Sequence, residues 1–149
     1  MNDPCGNEKM ALVPAANPDV ALVHCNKADK RGNAQILGFS SNAENAVRAA
    51  RHAVVTCERI VSTDEIRQNP NLTVIPEYVV DAVVEVPYAC HPWNFPYEYI
   101  YDIPFHTKQM DAFKTREGFL EWLDEWCFGT NDWEGYLRKV GFDRLDKLS

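Results

Sequence analysis

Two short apolar runs, Val20–Cys25 (VALVHC) and Ala53–Cys57 (AVVTC), constrain this chain more than any other feature. The first is entered from the turn residues Asn17-Pro18-Asp19 and shows no polar alternation, the pattern of a strand buried on both faces. Between the runs, Ala43, Ala46, Val47 and Ala50 recur at helical spacing within residues 41–53, with Glu44, Asn45, Arg48 and Arg51 on the other side. That spacing predicts an amphipathic helix with a narrow, alanine-rich contact stripe. Strands separated by helices build a mainly parallel sheet with flanking helices, so an α/β fold is expected.

The rest of the chain divides accordingly. Residues 28–33 (ADKRGN) form a polar cluster before an apolar stretch, which predicts a tight reversal with Gly32 at positive φ and Asp29 or Asn33 bonding to local backbone. Ser62 and Glu65 form a capping box for a short helix ending before Pro70. Leu72–Ile75 and Val79–Val86 are β-branched runs, broken by Pro76 and closed by Pro87. Residues 87–105 (PYACHPWNFPYEYIYDIPF) are too rich in proline for helix or central strand and predict an ordered arm. Beyond it, within residues 108–149, Phe119, Leu120, Leu123, Trp126 and Cys127 mark one helical face. Trp133, Tyr136, Leu137 and Val140 mark a second, with Gly129 to Asp132 as the break and Asn131 or Asp132 as its cap. The 149 residues are read as one domain with a helical C-terminal appendage.

With 22 acidic and 15 basic side chains the formal charge is −7, which repels phosphate backbones and anionic lipid. Nucleic acid and membrane are therefore not expected partners, and no apolar run reaches the roughly 20 residues a bilayer demands. The polar start of the chain is unlike a signal peptide, and a cytoplasmic location is expected. The 5 cysteines are an odd number without a CxxC pair, which reads as reduced thiols packed as small hydrophobes.

Catalytic motifs are scarce: GxSxG, HExxH, GxxxxGK[ST] and GxGxxG are all missing. His24-Cys25 and Cys90-His91 are sequence neighbours that point to opposite sides of an extended chain, so no metal site is expected. Glu58, Glu85 and Asp81 lie in or beside apolar runs. Each reads either as a nucleophile or base in a dry setting or as a strand-end carboxylate paired with a base such as Arg59. Trp122, Trp126 and Trp133 read as packing residues. The arm carries the strongest hint, because His91, Trp93, Phe95, Tyr97, Tyr99 and Tyr101 crowd a segment that must dock onto something. His91, Trp93, Tyr97 and Tyr99 are candidate interface or substrate residues.

Four strings, LVHCNKADKRGNAQILG, AVVTCERIVSTDEIRQNP, TVIPEYVVDAVVEVPYACHPW and LDEWCFGTNDWEGYL, together resemble the C-terminal half of the alpha (A) subunit of glutaconate-type CoA-transferases, from about Glu8 onward. Ala28-Asp29, Gly32-Asn33 and Ile75-Pro76 have recognisable counterparts in related ketoacid and acetate CoA-transferases. Ala89-Cys90-His91 departs from the Gly-Ala-His type of string usual there. The resemblance implies transfer of CoA from an acyl-CoA to a free carboxylate through a glutamyl-CoA intermediate. The glutamate lies on a beta subunit in a Ser-Glu-Asn-Gly type of motif that this chain does not contain. It also implies an N-terminal alpha half with a glycine-rich loop, supplied separately or lost from a fragment. It further implies CoA thioester as substrate with no permanently bound cofactor, and no catalytic residue in this chain. Two alternatives come with it. One is a component of a ring-opening hydrolase of CoA thioesters, and the other a non-catalytic assembly domain left by gene splitting.

Overall fold

The computed structural model describes residues 3, 5–6 and 8–149. Five strands, β1 (Val20–Asp29), β2 (Ala34–Gln35), β3 (His52–Val61), β4 (Thr73–Ile75) and β5 (Ala82–Glu85), form one sheet in the order β4-β2-β1-β3-β5. The ladders β1·β3 and β3·β5 are parallel, while β1·β2 and β2·β4 are antiparallel. The sheet is thus mixed and mostly parallel, with helices on its flanks and a helical C-terminal part.

Helix α1 (Ala43–Ala49) carries β1 back to β3. It is shorter than its apolar spacing suggests, because Ser41 adopts positive φ (51°) and Ala50 is already extended ahead of β3. Ala43, Ala46, Val47 and Ala50 pack on Ala21, Val23, Cys25, Ala53, Val55, Cys57 and Val83, which all project from the same sheet face. Small helix residues against small strand residues keep the two layers close. Cys25 and Cys57 lie side by side in register as buried free thiols, and the contact with Cys57, together with burial, raises the Cys25 thiol. The opposite face corrects the expectation of a doubly buried strand. Leu22 is 75% and Val20 52% exposed there, whereas their neighbour Ala21 is 7% exposed.

The reversal after β1 forms as expected. Gly32 has φ 108°, and the Asp29 carboxylate accepts from the backbone N–H groups of Arg31, Gly32 and Asn33, each at 3.0 Å. Asn33 reaches further than a local turn, donating to Asp29 and Glu77 and accepting from the Glu77 N–H at 3.1 Å. Burial opposes charge on Asp29, yet these bonds, led by Asn33, hold its carboxyl below the usual range. Strand β2 stops after two residues because the Leu37 N–H is taken by Asn26 Oδ1 (2.7 Å) and Gly38 turns at φ 92°. Ser62 Oγ caps α2 (Thr63–Gln68) by accepting from Glu65 N–H.

Past β5 the chain is irregular through a run of turns, with a cis bond at His91-Pro92 and a single bridge between Phe95 and Tyr99. The arm ends at Asp102, not Phe105, since α3 spans Ile103–Ala112 and so also begins ahead of residue 108. Pro104 falls in the first helical turn, where its missing N–H costs nothing. Helix α4 (Arg116–Leu123), a π-helical turn (Asp124–Phe128), α5 (Trp133–Val140) and α6 (Phe142–Leu145) follow. Asp132 caps α5 by accepting from Gly135 N–H. No helix among the described residues is long and apolar enough to cross a membrane.

Candidate functional site

The arm leaves the carboxyl end of β5 and lies across the carboxyl-terminal halves of β1 and β3, the end of a parallel sheet where open α/β folds hold ligands. Its first anchor is Glu58, which is 6% exposed. Glu58 Oε1 accepts from Tyr99 OH (2.9 Å) and lies 2.7 Å from His24 Nε2, while Oε2 accepts from Tyr88 N–H at 2.7 Å. His24 Nδ1 meets Thr56 Oγ1 at 2.9 Å, Phe95 sits over the His24 ring, and Tyr99 OH also accepts from Cys90 N–H. Asn26 Nδ2 donates to Pro96 O and Glu98 Oε1, fixing the arm's middle. Burial pushes the Tyr99 hydroxyl well above its ordinary value and raises the Cys90 thiol, so both stay neutral.

The pairing of Glu58 with Arg59 does not form. Adjacent strand residues diverge, so Glu58 takes His24 and Arg59 reaches Glu98 at 3.4 Å. Glu85 accepts from Ile60 N–H, and Asp81 accepts from Ala53 N–H at 2.8 Å beside His52, so these two carboxylates close strand ends.

The second anchor is Asp102. Its carboxylate receives both Nε (2.5 Å) and Nη2 (2.6 Å) of Arg144, caps α3 through Phe105 N–H (3.0 Å) and lies 3.1 Å from His91 Nε2. Burial alone would raise this carboxyl, but the Arg144, Phe105 and His91 hydrogen bonds hold it down to about 2. His91 Nδ1 meets Tyr136 OH at 2.7 Å, and burial lowers His91 below its ordinary value despite Asp102. His91 is therefore neutral at pH 7.

Against the outer side of this anchor lies an aromatic cleft of about 480 Å³, whose walls include Phe105, Trp122, Trp126, Trp133, Tyr136 and His91. Trp122 stacks on Trp126 (5.5 Å) and Trp133 on Tyr136 (4.8 Å), with Trp133 Nε1 donating to Pro87 O. The four arm residues singled out from the sequence thus separate. His91 (8% exposed) and Tyr99 (6%) are internal framework, whereas Trp93 (54%) and Tyr97 (80%) face outward. Trp93 stacks on Tyr101 at 5.0 Å and packs on His106, which Tyr101 OH contacts closely. Asp29, Gly32 and Asn33 remain in the turn, remote in role from this cluster. No group of three or more His, Cys, Asp or Glu suited to a metal occurs among the described residues.

Sequence reasoning missed Asp102, Arg144, Tyr136 and Asn26. Only Asp102 carries a local signal, an N-cap residue just ahead of Ile103-Pro104.

The fold is a mostly parallel sheet roofed at its carboxyl ends by a carboxylate-anchored arm, and residues 2–86 match the coenzyme A transferase family, to which this chain belongs. The chain is 39% identical to the alpha (A) subunit of glutaconate CoA-transferase from Acidaminococcus fermentans, over 95% of this chain and 44% of that protein. The crystal structure of that species' glutaconate coenzyme A-transferase superposes with TM-score 0.95 at 38% identity, covering 99% of this chain and 47% of that one. It is 34% identical to the corresponding subunit of 3-oxoadipate CoA-transferase from Pseudomonas knackmussii (94% and 49% covered) and 28% identical to the cholesterol ring-cleaving hydrolase IpdA subunit of Mycobacterium tuberculosis (93% and 49%). The chain spans about half the length of these relatives.

Proposed function

We propose that this chain supplies the C-terminal portion of the alpha subunit in a CoA-transferase that moves CoA from an acyl-CoA to a free, glutaconate-like carboxylic acid. The supporting observation is its likeness, along nearly its whole length, to the alpha subunit of a glutaconate CoA-transferase. In this reading a glutamate of the partner beta chain attacks the thioester carbonyl, forming an acyl anhydride and releasing CoA thiolate. The thiolate then attacks the glutamyl carbonyl, releasing the first acid and leaving a glutamyl-CoA thioester for the second acid to reverse. Acyl-CoA and carboxylic acid are the substrates. The partners are the beta chain and the N-terminal half of the alpha subunit, to which the outward Trp93 and Tyr97 offer an aromatic contact on a fixed arm.

Hydrolysis of a ring-bearing CoA thioester is the second reading, favoured by the 28% identity to a ring-cleaving hydrolase subunit, which is lower than the 39% to the transferase. The test mixes acetyl-CoA and glutaconate with the purified chain alone and with the complex reconstituted from both partners. Exchange, with a glutamyl-CoA adduct on the beta chain by mass spectrometry, is expected only from the complex. Turnover by the isolated chain overturns the reading, and release of free CoA into water without exchange favours the hydrolase.

A further inference from the structure

The cleft of about 480 Å³ beside Asp102 has the size of a small-molecule site and walls of one chemical kind. Helix α3 supplies Phe105, the end of α4 and the π-helical turn after it supply Trp122 and Trp126, and α5 supplies Trp133 and Tyr136. Trp122, Trp126, Trp133 and Tyr136 are only half-buried, so these rings are not the inside of a sealed core. Their planes meet at steep angles, 78° and 77° for Phe105 against Trp122 and Trp126, and 76° for Trp126 against Tyr136. The near-parallel pairs, Trp122 with Trp126 and Trp133 with Tyr136, stand 5.5 and 4.8 Å apart. A flat ring held between two others needs twice the roughly 3.5 Å of carbon contact, about 7 Å, so neither pair offers a slot. The cleft is a corner, and it suits a compact, rounded ligand.

Charge chooses among compact ligands. Among the described residues no Lys or Arg lines the cleft, its one carboxylate is that of Asp132, and burial keeps His91 and the Tyr136 hydroxyl neutral. An anion therefore finds no counter-charge there, on a chain whose formal charge is −7. The ring cluster already takes cations from its own chain. Lys139 Nζ lies 4.5 Å from the Trp126 ring centroid, and the Arg144 guanidinium lies 5.7 Å from that of Phe105. Aromatic faces attract positive charge through the ring quadrupole, and an ammonium whose hydrogens are replaced by alkyl groups gives up little hydration to reach them. We infer that this cleft is an aromatic cage for a small alkylated ammonium ion, with Trp122, Trp126 and Trp133 as walls and Asp132 as the counter-charge. The inference does not rest on the transferase reading and uses none of the groups that reaction requires.

The test titrates the purified chain with tetramethylammonium, and in parallel with neopentyl alcohol, an uncharged compound of similar shape, while following tryptophan fluorescence. Saturable quenching by tetramethylammonium is expected, roughly tenfold tighter than any by neopentyl alcohol. In NMR spectra the indole N–H signals of Trp122, Trp126 and Trp133 should shift while that of Trp93, outside the cleft, stays in place. Trp122→Leu should weaken binding roughly tenfold. Asp132→Asn removes the counter-charge but keeps a side chain able to cap α5, so it should weaken binding about threefold and serves as the test should Trp122→Leu misfold. Equal affinity for neopentyl alcohol, or tighter binding of a flat uncharged ring such as indole, overturns the choice of a cation. A shift confined to Trp93, or full affinity in a folded Trp122→Leu or Asp132→Asn chain, overturns the location. Absence of saturable quenching overturns the inference outright.

Discussion

Residues 20–86 and residues 87–149 are held together by different means. The first region is a backbone ladder around an apolar core in which every member of the main cluster lies between Ala21 and Val83. The second buries few apolar side chains, Tyr99, Phe105, Leu137 and Leu145, and depends on two carboxylates that gather donors from distant points of the chain. A periodic core spreads its stability over many interchangeable contacts, whereas a polar hub concentrates it in a few atoms whose loss leaves buried groups unpaired.

The sharpest way to break this contrast is Asp102→Ala. It strands the Arg144 guanidinium and the buried His91, and is expected to cost about 4 kcal/mol. Hydrogen exchange should show the helices beyond residue 102 opening while β1 and β3 keep their protection. Equal loss in both regions would mean that they unfold as one unit. Glu58→Ala removes the acceptor for Tyr99 OH and Tyr88 N–H, and should cost about 3 kcal/mol with the arm most affected.

Acid should also separate the regions. Unfolded His91 takes up a proton near pH 6.5 but the folded, buried ring resists it, so stability falls as pH drops below about 6.5. Asp102, only 1% exposed and held at about 2 against an ordinary 3.8, contributes about 2 kcal/mol above pH 4 that is lost as pH falls toward 2. Tryptophan fluorescence, with Trp122, Trp126 and Trp133 in the cleft, should therefore change at higher pH than the far-ultraviolet signal of the sheet.

Gly32→Val strikes the first region. At φ 108° a Cβ would stand 2.9 Å from Val80 Cβ, and a cost of about 2 kcal/mol in urea is expected. Trp93→Ala should be mildest for the isolated chain, about 1 kcal/mol for the lost Tyr101 stack, yet it should weaken binding of partner chains roughly thirtyfold. A larger stability loss with unchanged assembly would make Trp93 part of the core.

The same contrast explains what the sequence made legible. Val20–Cys25 and Ala53–Cys57 stand out as unbroken apolar runs and the stripe of α1 keeps the helical period, so the fold class follows from them, while the Gly32 turn and the Ser62 cap follow from local turn and capping chemistry. The open face did not follow, since Leu22 and Cys25 look alike in a run although one meets solvent and the other a helix. Within the site, the arm was legible as irregular because proline forbids ladders, but its anchors were not. Glu58 and Tyr99 are 41 residues apart and Asp102 and Arg144 are 42, and no local rule pairs them.

That separation also sets an order in time. On a translating ribosome, residues 20–86 emerge with all the partners their core requires, so the sheet is free to form while synthesis continues. Asp102 emerges 42 residues before the guanidinium that neutralises it, and the Ile100 N–H waits for the carbonyl of Leu148. Until synthesis has passed Leu148, the arm is an unclosed loop displaying aromatic rings, the stage at which nascent chains are most open to chaperones or to premature association.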